Sequence, residues 1–173
     1  MVYDPPMTWN EDLTGTVGMI RCWSSEGGVV RETEQEACTE EVVVILLNNR
    51  PICTLVASPV QLRELGAGFV VSEGLAGEIR DARVQGLTVQ VTATERSGSL
   101  HGIIESCGGP TSGTLMSPVK SSLVIDRDLI SIVISNIVSK LWERTGGAHC
   151  SVLFSGGELV AKSSDIGRHN TVD

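Results

Sequence analysis

The sequence is poor in aromatic residues, with three Trp, two Phe and one Tyr among 173 residues. Base-stacking platforms of the RNA-binding kind have little to work with. Basic residues are also scarce, 13 against 21 acidic ones, leaving a net charge of −8. That balance argues against a general nucleic-acid or membrane-surface binder. No run approaches the roughly 18 apolar residues of a membrane span. Residues 1–10 carry Asp4 and two prolines and lack the basic and apolar regions of a signal peptide. Five cysteines are present without any C-x-x-C spacing, which removes the common zinc and thioredoxin-like patterns. The expectation is a cytoplasmic protein with reduced thiols and no permanently bound metal.

What remains is a chain 41% apolar and 20% charged, ample for a core, with 19 glycines for tight turns. Residues 1–20 read as an irregular arm, with a strand-like piece from Gly18 to Trp23 and a turn at Glu26-Gly27-Gly28. The acidic stretch 31–41 reads as a solvated loop or strand edge. Val42 to Leu47 and Pro51 to Val56 flank Asn48-Asn49-Arg50, the pattern of a hairpin. Ser58 and Pro59 suit a helix start. Leu62, Leu65, Phe69 and Val70 recur at helical spacing, and Gly74 suits the stop. A strand follows over Leu87 to Thr94. Hairpin, helix and strand in that order predict a small N-terminal α+β roll over residues 1–105.

Residues 106–122, rich in Gly, Ser and Pro, read as a linker or active loop. In residues 123–173, Asp126 suits an N-cap. Ile130, Val133, Ile134, Ile137, Val138 and Leu141 predict one deeply packed helix over 126–144. Thr145-Gly146-Gly147 ends it, and His149 to Phe154 with Glu158 to Lys162 predict a second hairpin. One helix and one hairpin bury little alone, so this half reads as incomplete, and the chain as truncated.

Three segments hold candidate chemistry. Cys107 lies in Ser106-Cys107-Gly108-Gly109-Pro110, where bare glycine amides suit an approachable thiolate and equally suit a plain turn. Thr145-Gly146-Gly147-Ala148-His149 allows close approach of a ligand or of another backbone. Asp165 to Asp173 packs Arg168, His169 and Asn170 together, a set suited to phosphate or carboxylate recognition or to an exposed polar tail. Glu73, at the end of Gly68-Phe69-Val70-Val71-Ser72-Glu73-Gly74, fits either a local cap or a partner's donor. Cys22, Cys38, Cys53 and His101 read as structural or incidental, and Cys150 as a small core residue.

These segments, in order with Glu40-Glu41-Val42, Asn48 and Ser58-Pro59, resemble the formate dehydrogenase accessory protein (FdhD) family from roughly residue 38 onward. The resemblance implies an α/β (α+β) fold, a small roll joined to a three-layer, cytidine-deaminase-like domain, here incomplete. It implies a cytoplasmic homodimer that accepts sulfur from a cysteine desulfurase as a persulfide on Cys107. The sulfur then passes to the molybdenum (or tungsten) bis-pterin guanine dinucleotide cofactor of formate dehydrogenase. Gly108, Gly146, Gly147, His149, Arg168 and His169 are the residues it suggests for cofactor binding. Three positions depart from the family pattern: Pro110 replaces a second loop cysteine, Ser164 a Glu and Thr171 an Ala. Loss of the second cysteine leaves open a non-catalytic cofactor-binding chaperone or a degenerate, truncated paralogue. A zinc deaminase is excluded by the absence of H-x-E and P-C-x-x-C.

Overall fold

The computed structural model describes residues 12–96 and 120–173, together with the backbone of 104–106. At the N-terminal end, β1 (Val17–Glu26) and β2 (Val29–Cys38) form a long antiparallel ribbon. They turn through Gly27 and Gly28, both at positive φ, where a Cβ would be strained. The acidic stretch is thus largely a strand: residues 31–38 pair with β1, and Arg31, Glu32, Glu34 and Gln35 are exposed.

The main sheet has the order β5-β6-β3-β4-β7. Its centre is the expected hairpin of β3 (Glu41–Leu47) and β4 (Arg50–Ala57). Val43, Ile45 and Leu47 alternate into the core, as do Cys53, Leu55 and Ala57. Asn48 and Asn49 both take positive φ, the requirement of a two-residue hairpin turn twisted to match its strands. Asn48 does more than turn the chain. Its Oδ1 accepts from Ala93 N at 3.1 Å and its Nδ2 donates to Ala93 O at 3.0 Å, which ties the turn to β6 (Thr88–Glu95). Asn48→Gly keeps the allowed φ and removes both bonds. Chemical denaturation is expected to show a loss of about 1–3 kcal/mol, and an unchanged midpoint would remove the amide from the account.

The strand expected near 87–94 is β6, which lies parallel to β3. Its antiparallel neighbour β5 (Ala76–Gln85) was not legible, because two register shifts break its alternation and its buried positions are the small Ala76 and Ala82. Helix α1 (Leu62–Ser72) packs Leu65, Phe69 and Val70 against the sheet, and a Cβ on Gly66 would lie 2.4 Å from Val89 Cγ1. Gly74 ends the helix at φ 69 as expected. Ser58 does not cap it: the N-cap is Gln61, in the left-handed region and without a side-chain cap bond.

In the second half, the predicted single helix is two, α2 (Arg127–Asn136) and α3 (Lys140–Thr145). Asp126 caps α2 as expected, its carboxylate accepting from Asp128 N at 2.8 Å. The break is at Ser139, which takes an extended conformation and whose hydroxyl accepts from Trp142 N at 3.1 Å, starting a new helix. Deep packing is also corrected. No residue of α2 is buried among the described residues, and Ile130 and Ile134 are exposed, whereas Leu141 in α3 is fully buried. The second hairpin is present as β8 (His149–Ser155) and β9 (Glu158–Asp165). β7 (Ile104–Ser106) runs parallel to β4, so the sheet reaches the first residue of the predicted loop.

Candidate functional site

The Asp165–Asp173 segment is not a free tail. Where β9 ends, the chain meets the connection between β4 and α1. Asp165 is buried and collects three donors there. Ser58 N donates to Oδ2 at 2.9 Å, and Gly167 N and Asn170 Nδ2 donate to Oδ1 at 2.6 and 2.9 Å. Asn170 Nδ2 also donates to Val56 O at 2.9 Å, and Ile166 N donates to Ser58 Oγ at 3.2 Å. The buried side chains of Ser58, Asp165 and Asn170 thus each have a partner, as burial requires. Burial pushes the Asp165 carboxyl above the ordinary aspartate range. The three hydrogen bonds oppose that shift, and the Glu40 charge adds to it.

Beyond Asn170, Thr171 Oγ1 donates to Arg168 O at 2.7 Å, so the Ser151 hydroxyl, 2.7 Å away, donates to Thr171 Oγ1. Ser72 Oγ donates to Asp173 Oδ1 at 2.5 Å. The Asp173 backbone lies so close to α1 that a Cβ on Gly68 would be 1.5 Å from its carbonyl oxygen. Three separated motifs, Ser58-Pro59, Gly68–Gly74 and Asp165–Asp173, therefore belong to one junction. Anchored on both sides, the turn leaves Arg168 and His169 exposed. Two adjacent cationic or proton-bearing side chains on a pinned turn suit an anion.

The Thr145–His149 segment has a structural core. Gly146 is the left-handed C-cap of α3 at φ 65, its N–H donating to Trp142 O at 2.7 Å. Thr145 Oγ1 donates to Leu141 O at 2.7 Å and accepts from Gly147 N at 3.2 Å. Cys38 Sγ lies 3.1 Å from the same hydroxyl, so β2 is tied to the helix end. Gly146 and Gly147 thus have local work in the fold. His149 opens β8 directly opposite Asp165 and is exposed. It borders a hollow of about 280 Å3 with Trp142 and Cys150. A larger cleft of about 520 Å3 separates α1 from the β8–β9 hairpin and is lined by Leu65, Val152, Ser164 and Val172 among others. Ser164 Oγ is buried there without a hydrogen-bond partner among the described residues.

Cys107 and Gly108 lie outside the described residues. The last described residue before them, Ser106 at the end of β7, sits beside Leu55 on the parallel neighbour β4, three residues before Ser58. β7 thus ends on the side where β4 leads into the Asp165 junction. The remaining thiols differ in environment. Cys22, Cys38 and Cys150 are half-buried and Cys53 is buried. Burial, with the Glu73 and Asp173 charges, pushes the Cys53 thiol up to about 11. Its folded value lies above the unfolded one, so the stability it contributes fades as pH rises toward and through about 11. At neutral pH it is a protonated, inert thiol. Alkylation of the native protein with iodoacetamide, followed by peptide mapping, is expected to label Cys53 last and Cys107 first. Early labelling of Cys53 would overturn the burial argument.

Among the described residues no three His, Cys, Asp or Glu side chains are placed to hold a metal ion. No helix among them is long and apolar enough to cross a membrane. Sequence reasoning had singled out Arg168 and His169 but missed the residues that hold them, Ser58 and Asp165. The available signal was Ser58 before a proline and Asp165 three residues before Arg168, neither of which names its partner.

The model of the FdhD/NarQ family matches residues 38–173. The chain belongs to that family. Relatives include proteins named sulfur carrier protein FdhD. That of Listeria monocytogenes serotype 4b is 28% identical over 171 residues, covering 86% of this chain and 65% of the relative. The one from Bacillus licheniformis is 29% identical over 167 residues, covering 86% and 64%. The one from Staphylococcus haemolyticus is 28% identical over 185 residues, covering 95% and 68%. The chain thus spans 65% of the length of the Listeria relative. The crystal structure of a protein described as a formate dehydrogenase accessory protein from Desulfotalea psychrophila has the same fold. It matches with a TM-score of 0.67 at 24% identity, covering 91% of this chain and 63% of that one. The FdhD/NarQ match contains the Ser58, Gly68–Gly74, Cys107, Thr145–His149 and Asp165–Asp173 segments.

Proposed function

We propose that this FdhD/NarQ member is a sulfur carrier in formate dehydrogenase maturation, acting as a sulfurtransferase through Cys107. The observation that carries the reading is the family match, which includes Cys107 and joins relatives named as sulfur carriers. In the loading step, the Cys107 thiolate attacks the outer sulfur of a persulfide on a cysteine desulfurase. The donor's S–S bond breaks, its cysteine leaves as a thiolate, and Cys107 becomes the persulfide, with no net oxidation. A thiolate does this work, and glycine-flanked backbone N–H groups are suited to stabilising one.

The acceptor, as substrate, is the molybdenum or tungsten bis-pterin guanine dinucleotide, a phosphate-rich anion. The exposed Arg168 and His169 suit its phosphates, whereas Gly146 and Gly147 serve the α3 cap first. Completion of a cytidine-deaminase-like layer by the longer family chain, a cytoplasmic location and a homodimer belong to the same proposal. Pro110, where the family pattern has a second cysteine, favours a second reading: a chaperone that binds the cofactor without carrying sulfur.

Sulfur loading decides between them. Trypsin cuts after Arg96 and Lys120, and peptide 97–120 holds Cys107 as its one cysteine. Incubation with a cysteine desulfurase and cysteine is expected to add one sulfur to that peptide, removable by reductant. Absence of the gain, or its appearance on another cysteine, would sink the carrier reading and leave the chaperone.

A further inference from the structure

Gln61 stands where α1 begins, at φ 50 and ψ 31, a left-handed backbone that is costly for a residue with a Cβ. Its carbonyl opens the helix by accepting from Leu65 N at 2.9 Å, yet its side chain gives the helix no cap. Backbone strain of this kind persists where the surroundings require it. The requirement lies on β9. Gln61 Nε2 donates to Lys162 O at 3.1 Å, and Gln61 Oε1 accepts from Ser164 N at 3.3 Å. Among the described residues β9 has β8 on one edge and no strand on the other. The Gln61 amide, a donor and an acceptor together, bonds β9 as the peptide groups of a neighbouring strand would. Ser58 continues the row, its hydroxyl accepting from Ile166 N at 3.2 Å. The connection 58–61 thus grips backbone groups of residues 162, 164 and 166 in succession.

What this grip sets is the place of Arg168 and His169. Asp165 follows Ser164 directly, and its carboxylate gathers the turn that displays them. A carboxylate alone can swing about its side-chain torsions. Backbone bonds at 162 and 164 fix the strand itself, and with it the direction in which the turn departs. Binding groups keep their geometry only when the residues behind them are held in this way. We infer that Gln61 is a positioning residue for the Arg168–His169 pair, its side-chain amide fixing the edge of β9 from which their turn departs. This rests on the reading of that pair as the phosphate contact.

The test measures guanosine diphosphate affinity by titration calorimetry in two variants. Gln61→Asn suits the left-handed backbone better, but its amide is one methylene too short for β9. Its melting temperature is expected to stay near that of wild type, because relief of strain offsets the lost bonds. Its affinity is expected to fall about threefold to tenfold. Gln61→Glu supplies a readout that a merely structural role would not move. As a carboxylate it accepts from Ser164 N but has no proton for Lys162 O, so affinity near neutral pH should fall by a similar factor. A protonated carboxyl again has one donor and one acceptor, as the amide does. Affinity relative to wild type at the same pH should therefore recover as pH is lowered toward about 5. The charged groups that line the same cleft, Glu64, Lys162, Asp165 and Asp173, are common to both proteins, so the ratio isolates residue 61. Wild-type affinity in both variants, or a Gln61→Glu deficit that does not change with pH, would overturn the positioning role. Absence of guanosine diphosphate binding by wild type, or unweakened binding by Arg168→Ala, would instead overturn the reading on which it rests.

Discussion

Asp165→Asn is expected to lower stability by about 3 kcal/mol, although the substitution changes one atom and removes a buried charge. Three donors converge on the two carboxylate oxygens, Ser58 N on Oδ2 and Gly167 N with Asn170 Nδ2 on Oδ1. An amide has one acceptor oxygen and one donor NH2. Either orientation turns an NH2 toward at least one of those donors, in a place closed to water. Hydrogen bonds to a charged group contribute about 1.5–3 kcal/mol, and a buried donor left unsatisfied costs about 1–3 kcal/mol. Relief of the carboxylate's burial works in the opposite direction, and the count of lost bonds outweighs it. Urea denaturation measures the loss, and amide exchange localises it: the Ser58 and Gly167 amides should exchange faster, while those of β3, across the sheet, should not. A variant as stable as wild type would mean that the junction is not held by this carboxylate. Because Arg168 and His169 sit on the turn that Asp165 anchors, the same variant should weaken binding of guanosine diphosphate. Arg168→Ala, at an exposed position, should weaken it with a stability change of no more than about 0.5 kcal/mol.

The junction illustrates what a sequence discloses. The Asn48-Asn49 turn was legible because its chemistry is local: two residues that tolerate positive φ lie between two alternating apolar runs. The buried face of α1 was legible for the same reason, since period 3.6 needs no distant partner. Ser58 was misread because Ser-Pro is a sound local signal for a helix start, while its bonds go to Asp165 and Ile166, 107 and 108 residues away. Nothing local encodes such a pairing. The long helix failed at Ser139, where one hydroxyl capping Trp142 N outweighs a continuous apolar stripe that has little to pack on. The glycines of Thr145–His149 are correctly read as special backbone. The alternatives left open, a ligand or another backbone, are decided for Gly146 by the end of α3 itself.

Gly68→Ala is expected to destabilise the protein by about 1–3 kcal/mol, against the ordinary sign of such a change. Gly68 lies inside α1, where replacing Gly by Ala should stabilise a helix by about 1 kcal/mol through backbone entropy and propensity. Against that stands a steric fact: the added Cβ would sit 1.5 Å from Asp173 O and 2.3 Å from its carbonyl carbon. Both atoms are backbone, so no rotamer relieves the overlap, and either α1 or the 169–173 turn must move. The turn is the weaker party. Its hold on α1 includes the Ser72–Asp173 hydrogen bond, while α1 is fixed by Leu65, Phe69 and Val70 in the core. The Val172 and Asp173 amides, which both donate to His169 O, should therefore lose protection while the α1 amides keep theirs. The opposite sign, a gain of about 1 kcal/mol with unchanged exchange at residues 172 and 173, would show that the turn does not rest on the helix. Loss of the contact also separates the turn that displays Arg168 and His169 from the helix that backs it. Under the proposed carrier reading, guanosine diphosphate binding should accordingly fall, while sulfur loading at Cys107 should proceed at the wild-type rate.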